Sequence, residues 1–440
     1  MTGERSDKLH PAALPVIHRA PWLVTGLASG DAGGGALVAD GALAVAGGII
    51  RCVGTFPEVV RQLGGCRIIE HESAVLTPAL VNSHCHLELS RSALAEQYEG
   101  RPGYDGDPTG WIRDLLAEKD SLAGENSGGD SGMLTRARQT LQQMAAEGIG
   151  FVGDVGNSLA AEMVGHGQDV RVAFLLELLG LSREAEESSL ARLERMGSDG
   201  PTVVNCTAHA PYSTAPAVIR AVKQRATRRG HPFSIHVAES EPEVEFLQNG
   251  SGVLREFLEE RRAWDGSFRI PEKGAIDYLD SLGVLDGTTL CVHAVHVSEA
   301  EITIMAEKKA KVCLCPGSNR FLGVGKAPVT EFLARGILPA LGTDSRASNR
   351  ILSMWREMRL LRQDHPALEP ETVFGMATRA GAEAWGVASQ IGTLEPGREA
   401  RVLAVDGGTA IKRAADVFEF LTSAGETVRA EWVEQKDDDG

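Results

Sequence analysis

Hydrophobic and polar positions follow two different rhythms along the chain. In the first stretch, short apolar runs predict β-strands: Val16-Ile17-His18, Trp22-Leu23-Val24, Ala36-Leu37-Val38, Leu43-Ala44-Val45, Ile49 to Val53 and Arg67-Ile68-Ile69-Glu70. Gly and Asp turn signals separate them. From about residue 77 strands alternate with helices, and the strands are expected at 79–83, 149–154, 170–177, 202–208, 232–236, 288–292, 311–315 and 338–342. Eight strands in βα order predict a parallel (β/α)8 TIM-type barrel, an α/β fold. In 133–147 the apolar Leu134, Ala137, Leu141, Met144 and Ala145 recur at helical spacing, and Gly148 ends the helix. Residues 351–363 and 370–385 are expected as terminal helices. After Gly386 the β character returns at Ile391 to Leu394, Ala400 to Val405 and Val428 to Val433. The expectation is a small β-sandwich domain built from both chain ends, 12–76 with 387–436, beside a barrel at 77–386.

Three segments break the rhythm. Residues 1–11 and Asp437 to Gly440 read as loose tails. Asp31-Ala32-Gly33-Gly34-Gly35 reads as a turn, since no crossover helix follows closely enough for a dinucleotide loop. The Gly-, Asp- and Ser-rich segment 97–132 reads as a long loop after the first barrel strand, with Trp111-Ile112-Arg113-Asp114-Leu115-Leu116 as one or two helical turns. Long loops on that face of a barrel are commonly functional. A lid over a pocket and a surface helix packing its own apolar face are both open.

Composition narrows the class. A chain of 440 residues, 24% charged and 43% hydrophobic, is an ordinary globule with room for a barrel and an accessory domain. Its formal net charge of −16 argues against nucleic-acid or anionic-membrane partners. No run of about 18 apolar residues predicts a membrane span, and Met1 to Pro15 lacks the apolar core of a secretory signal. Seven scattered cysteines without a CxxC pair suit reduced thiols and a cytoplasmic setting.

The candidate chemistry sits where strands are expected to end. His84-x-His86 puts two imidazoles on one side of a strand, about 7 Å apart, with Cys85 on the other. His236 follows Phe233-Ser234-Ile235, with Glu239 just beyond. His293 closes Leu290-Cys291-Val292, and Asp344 follows Leu338 to Leu341. Three imidazoles and a carboxylate can fix one divalent ion, leaving Glu239 and His293 to move protons. His296 is expected as a loop contact, and the helix near Ser348 is expected to take Ser348 or Asn349 as its N-cap. The fourth strand has no Lys to bridge two metals, so one ion is expected, and His209 in His209-Ala210-Pro211-Tyr212 is left as a substrate-binding donor. Gly323-Val324-Gly325-Lys326 is no phosphate loop, because Arg320 and Ala327 stand at required Gly and Ser/Thr positions.

Taken together, Leu76 to His86, His209 to Tyr212, His236 to Ser240, His293 to His296, Leu341 to Asn349 and Gly392 to Gly397 resemble the amidohydrolase superfamily, in its cytosine deaminase/chlorohydrolase-like branch. Leu87-Glu88-Leu89-Ser90 and Cys315 to Gly325 look most like the aminodeoxyfutalosine deaminases of menaquinone biosynthesis. The resemblance implies a deaminase with His84, His86, His236 and Asp344 on one zinc or iron ion. Glu239 and His293 would be catalytic. His209 would meet a nucleoside substrate, with Glu88 and Ser345 as further contacts; Trp111 and Arg113, on the candidate lid, are expected over its distal part, where a guanidinium suits a carboxylate. Arg346 stands where relatives carry a smaller or apolar residue. Deamination of S-adenosylhomocysteine or methylthioadenosine and hydrolysis of a chlorotriazine or cyclic amide remain alternatives; a non-catalytic binding protein is disfavoured because no ligand or acid/base group is missing, and a homodimer is left open.

Overall fold

The computed structural model describes residues 14–30, 35–63, 65–98, 103–124, 130–165, 170–197, 204–408 and 410–433. Both expected tails, residues 31–34 of the Gly-rich turn and residues 202–203 of the expected fourth barrel strand lie outside them.

The N-terminal strands are β1 (Val16–Val24), β2 (Leu37–Ala46), β3 (Ile49–Thr55), β4 (Arg67–Glu70) and β5 (Ala74–Pro78). The two apolar runs expected on either side of Ala20-Pro21 form one strand. Its pairing with β2 steps from Ala20↔Gly41 to Trp22↔Ala39 and skips Pro21, which has no N–H to donate. The alternating part of the chain supplies β6 (Leu80–Cys85), β7 (Ile149–Gly156), β8 (Arg171–Leu178), β9 (Cys206–Ala208), β10 (Phe233–Val237), β11 (Thr289–His293), β12 (Lys311–Leu314) and β13 (Ala340–Leu341). β14 (Val402–Asp406) and β15 (Ala430–Trp432) complete the set.

The result is an α/β fold with parallel sheets. β6-β7-β8-β9 form one four-stranded parallel sheet and β10-β11-β12-β13 a second, each in chain order. At one junction the His236 N–H donates to the His209 carbonyl at 2.9 Å; at the other the Asp344 N–H donates to the His84 carbonyl at 3.0 Å. Cys85 and Asp344 form an isolated parallel bridge there. A Cβ on Gly342 would lie 2.8 Å from the His84 backbone, so only glycine permits this approach. The remaining strands form one seven-stranded sheet in the order β15-β14-β5-β1-β2-β3, with β4 on β1. β14 runs antiparallel to β5, so the late strands do meet the early ones.

One apolar layer lies between strands and helices, with Leu80, Ile149, Leu176 and Phe233 among its members. A second gathers Val81, Phe151, Leu290, Val292 and Cys313 against Trp385, whose indole N–H donates to the Ser83 carbonyl. Cys85 is fully buried, as its place in the alternation requires. The described part of the 97–132 segment holds more helix than expected. Pro108–Gly124 is a single 17-residue helix, begun by Asp107, whose carboxylate accepts the Thr109 N–H at 2.9 Å. The expected helix 370–385 instead breaks into Pro370–Met376 and Arg379–Ala384 around Thr378. No helix among the described residues is long and apolar enough to cross a membrane.

Candidate active site

The chain ends of β6, β10, β11 and β13 converge on one point. His84 Nε2 lies 3.1 Å from His236 Nε2, and His86 Nε2 lies 3.4 Å from the same atom. Asp344 Oδ1 stands 3.8 Å from His84 Nε2 and 3.6 Å from His86 Nε2. The ligand atoms of His84, His86 and His236 all fall within 4.8 Å of one another. Burial, reinforced by the neighbouring histidines, lowers His84 and takes His236 down to about 3. Neutral rings aim lone pairs at one spot, which is unfavourable unless a cation shares it. The donor set of three nitrogens and one carboxylate oxygen therefore fits a metal ion.

His236 also shows which of its nitrogens is available. Its Nδ1 lies 3.1 Å from the His209 carbonyl, so that nitrogen carries the proton and Nε2 keeps its lone pair. Glu177, His209 and His236 form a second compact group, but it shares His236. Burial alone would raise the Asp344 carboxyl; the nearby imidazoles of His86 and His293 and the Ser318 hydroxyl hold it below the usual range. Its Oδ2 accepts from Ser318 Oγ at 2.6 Å and Ser348 Oγ at 2.7 Å.

Beside this cluster, Glu239 Oε1 lies 3.5 Å from His293 Nε2. Burial raises the Glu239 carboxyl. The backbone here is bent against preference: Ala238, His293, Ala294 and Asp344 have φ of 48°, 69°, 45° and 56°. Non-glycine residues in the left-handed region cost free energy and concentrate at functional sites. The bends are held by hydrogen bonds. Glu243, fully buried, accepts the Ala238 and Glu239 N–H groups at 2.8 and 2.9 Å, while the Ala238 carbonyl accepts from Val295 and His296.

A cavity of about 430 Å³ opens onto the cluster. His86, Glu88, Trp111, His209, His236, Glu239, His293, Asp344 and Ser345 line it. His209, taken down to about 3 by burial, is held by Ser213 Oγ at 2.5 Å from its Nδ1. Glu88 accepts the Asn157 and Ser158 N–H groups at 3.0 and 2.9 Å. The Trp111 indole donates to the Ala347 carbonyl at 3.0 Å, so the Pro108–Gly124 helix forms a cavity wall. Arg113 stands apart from the other expected site residues. Its guanidinium points away, donating to Glu260 at 2.7 Å and lying over the Phe257 ring, and it does not line the cavity.

The expected cap is also corrected: the helix Met354–Asp364 begins at Ser353, while Ser348 and Asn349 bond Asp344 and the Thr343 carbonyl. His296 Nε2 donates to the Val324 carbonyl at 2.7 Å in the loop. Arg346 pairs with Glu96. Lys119, Glu177 and Arg261 line the cavity without having been singled out. Helical spacing from Trp111 to Lys119 was a usable signal for the first; nothing local marked the others.

The amidohydrolase family model matches residues 75–430. This chain belongs to the amidohydrolase family. Among curated members it is 30% identical over 380 residues to a 5-methylthioadenosine/S-adenosylhomocysteine deaminase of Pelotomaculum thermopropionicum, covering 83% of this chain and 80% of that one. It is 27% identical over 395 residues to an aminodeoxyfutalosine deaminase of Deinococcus radiodurans, covering 83% and 84%. The fold matches the Helicobacter pylori aminofutalosine deaminase in complex with methylthio-coformycin, with TM-score 0.76, 23% identity and coverage of 92% and 95%. It also matches a zinc-bound adenosine deaminase from Xanthomonas campestris, with TM-score 0.71, 22% identity and coverage of 93% and 89%.

Proposed function

We propose that this amidohydrolase is a mononuclear metal-dependent deaminase of the adenine ring in a nucleoside derivative, with 6-aminodeoxyfutalosine as its substrate and menaquinone biosynthesis as its setting. The observation that carries the reading is the pairing of Glu239 with His293 beside the three-nitrogen, one-carboxylate cluster in one cavity. His84, His86, His236 and Asp344 hold one ion, zinc by analogy with the zinc-bound relative. A single ion is favoured because the His236 proton sits on Nδ1, which removes that ring from the Glu177–His209 group. When bound, the ion supplies the positive charge that makes a water acidic near neutral pH.

The chain's own groups do the rest. Glu239, raised by burial, accepts a proton and passes it to ring N1. His293 steadies the tetrahedral C6 as ammonia departs. His209 and Glu88 offer polar contacts to the sugar, and Ser345 lies at the cavity wall. Ile112, Leu115, Leu116, Phe257 and Leu258 give an apolar wall that also carries Lys119 and Arg261. A nucleoside bearing a benzoate fits this combination of an apolar face and cations. The fold supports the same reading: the hydrogen bonds at both junctions suggest that the two parallel sheets are halves of a closed (β/α)8 barrel at 77–386. The small β-sandwich domain is then assigned to 12–76 with 387–436.

The second reading, deamination of S-adenosylhomocysteine or methylthioadenosine, is favoured by the 30% identical relative. Ammonia release from 6-aminodeoxyfutalosine, S-adenosylhomocysteine, methylthioadenosine and adenosine decides between them. The first should give the highest kcat/KM. Preference for either sulfur nucleoside would select the second reading, and no release from any would overturn ring deamination.

A further inference from the structure

Asn319 stands one residue after Ser318 in the helix Pro316–Leu322, which follows β12 directly. Its Oδ1 lies 3.0 Å from His293 Nδ1, and both side chains are buried. We infer that Asn319 is a positioning residue for the reaction: by accepting a hydrogen bond from His293 Nδ1–H it fixes the tautomer, and it turns Nε2 toward Glu239. The inference rests on the reading above that His293 acts at the reacting centre.

Geometry and chemistry agree on this assignment. A neutral imidazole has one donor and one acceptor nitrogen, and the hydrogen bond made by one sets the role of the other. With Nδ1–H given to Asn319, Nε2 is the nitrogen left toward Glu239 Oε1 at 3.5 Å, an acceptor for the proton whenever the buried Glu239 carboxyl carries it. The opposite tautomer would place two acceptors face to face across the Nδ1 contact. His293 also leaves its strand with φ of 69°, so no regular strand geometry aims the ring. The anchor must come from a partner side chain.

That partner is itself braced. Ser318, its neighbour, donates to Asp344 Oδ2 at 2.6 Å, leaving Oδ1 toward His84 and His86. Two successive residues of one short helix thus orient the metal-facing carboxylate and the proton-moving imidazole. The start of the helix is held by Glu357, fully buried, which accepts the Gly317 N–H at 2.7 Å and Asn349 Nδ2 at 2.8 Å. A Cβ at Gly317 would lie 2.5 Å from Glu357 Oε1, so the helix start packs directly on its brace.

The test compares wild type with Asn319→Leu and Asn319→Asp, and with Asn319→Ala in case leucine prevents folding. For Asn319→Leu or Asn319→Ala, kcat should fall about 10–100-fold, the range for lost partners of this kind, with KM and metal content unchanged. Asn319→Asp keeps the acceptor and should restore most of kcat. In metal-free wild type, ring ¹⁵N–¹H correlations should show His293 protonated at Nδ1, and the leucine or alanine variant should lose that preference. Unchanged kcat in the truncated variants, or Asn319→Asp as impaired as they are, would overturn the inference. So would an Nε2-protonated His293 in wild type. If wild type releases no ammonia from any nucleoside, the deaminase reading fails and the ¹⁵N measurement alone decides the tautomer.

Discussion

Asn82 ties the first strand of the parallel set to the last. It is fully buried; its Nδ2 donates to Thr343 Oγ1 at 2.8 Å and its Oδ1 accepts the Thr343 N–H at 3.0 Å. Leucine has a similar volume but neither polar atom, so Asn82→Leu keeps the packing and strands the Thr343 N–H and one face of its hydroxyl. A buried donor or acceptor left unpaired costs about 1–3 kcal/mol; two such losses, with the hydroxyl still able to donate to the Asp344 carbonyl at 3.3 Å, should total about 2–4 kcal/mol. The assay is urea unfolding of metal-free wild type and variant, because a bound ion would add its own binding energy to the native state. Thr343→Val and the double variant complete a cycle whose coupling should be about 1 kcal/mol or more. Since His84 and Asp344 flank this contact, metal affinity should also drop, by about 10–100-fold. A stability loss below about 0.5 kcal/mol, with additive single variants, would refute the claim that this pair holds the junction.

Further outcomes follow from the same geometry. Glu239→Gln should lower the rate by about 10²–10⁴-fold with metal retained, whereas His84→Ala should lose the metal by elemental analysis. Wild type should hold one ion per chain, and chelation should abolish activity while circular dichroism stays native; two tightly held ions would contradict the single-site reading. Arg113→Ala should leave substrate preference unchanged, because its guanidinium serves Glu260 outside the cavity; a narrowed preference would bring it back into the site. His18, in the seven-stranded sheet, is lowered to about 4 by burial and by His71. Its depressed value means the fold disfavours the charged ring, so this stability is present above about pH 6.5 and is lost as pH falls toward 4, about 3 kcal/mol in all. His18→Gln should flatten the thermal midpoint across that window, and an unchanged slope would remove His18 as the cause.

By itself the sequence determined the periodic part of this protein and the residue types of its centre. Alternation and helical spacing are local, so the eight strand segments and the Gly148-terminated helix could be read residue by residue. His84-x-His86, His236 with Glu239, His293 and Asp344 were legible because each follows a short apolar run at a strand end. Contacts between distant segments were not legible. Asn82 meets Thr343 across 261 positions, and His293 meets Asn319 across 26; neither pair leaves a periodic trace. Arg113 looked suited to the cavity on charge alone, but the direction of a side chain on a helix depends on what the helix packs against. Only the tertiary structure could decide that the Pro108–Gly124 helix turns Trp111 and Lys119 inward and gives Arg113 to Glu260. It also decided which nitrogen of His236 is free, because a tautomer is set by the partner that folding brings to the ring.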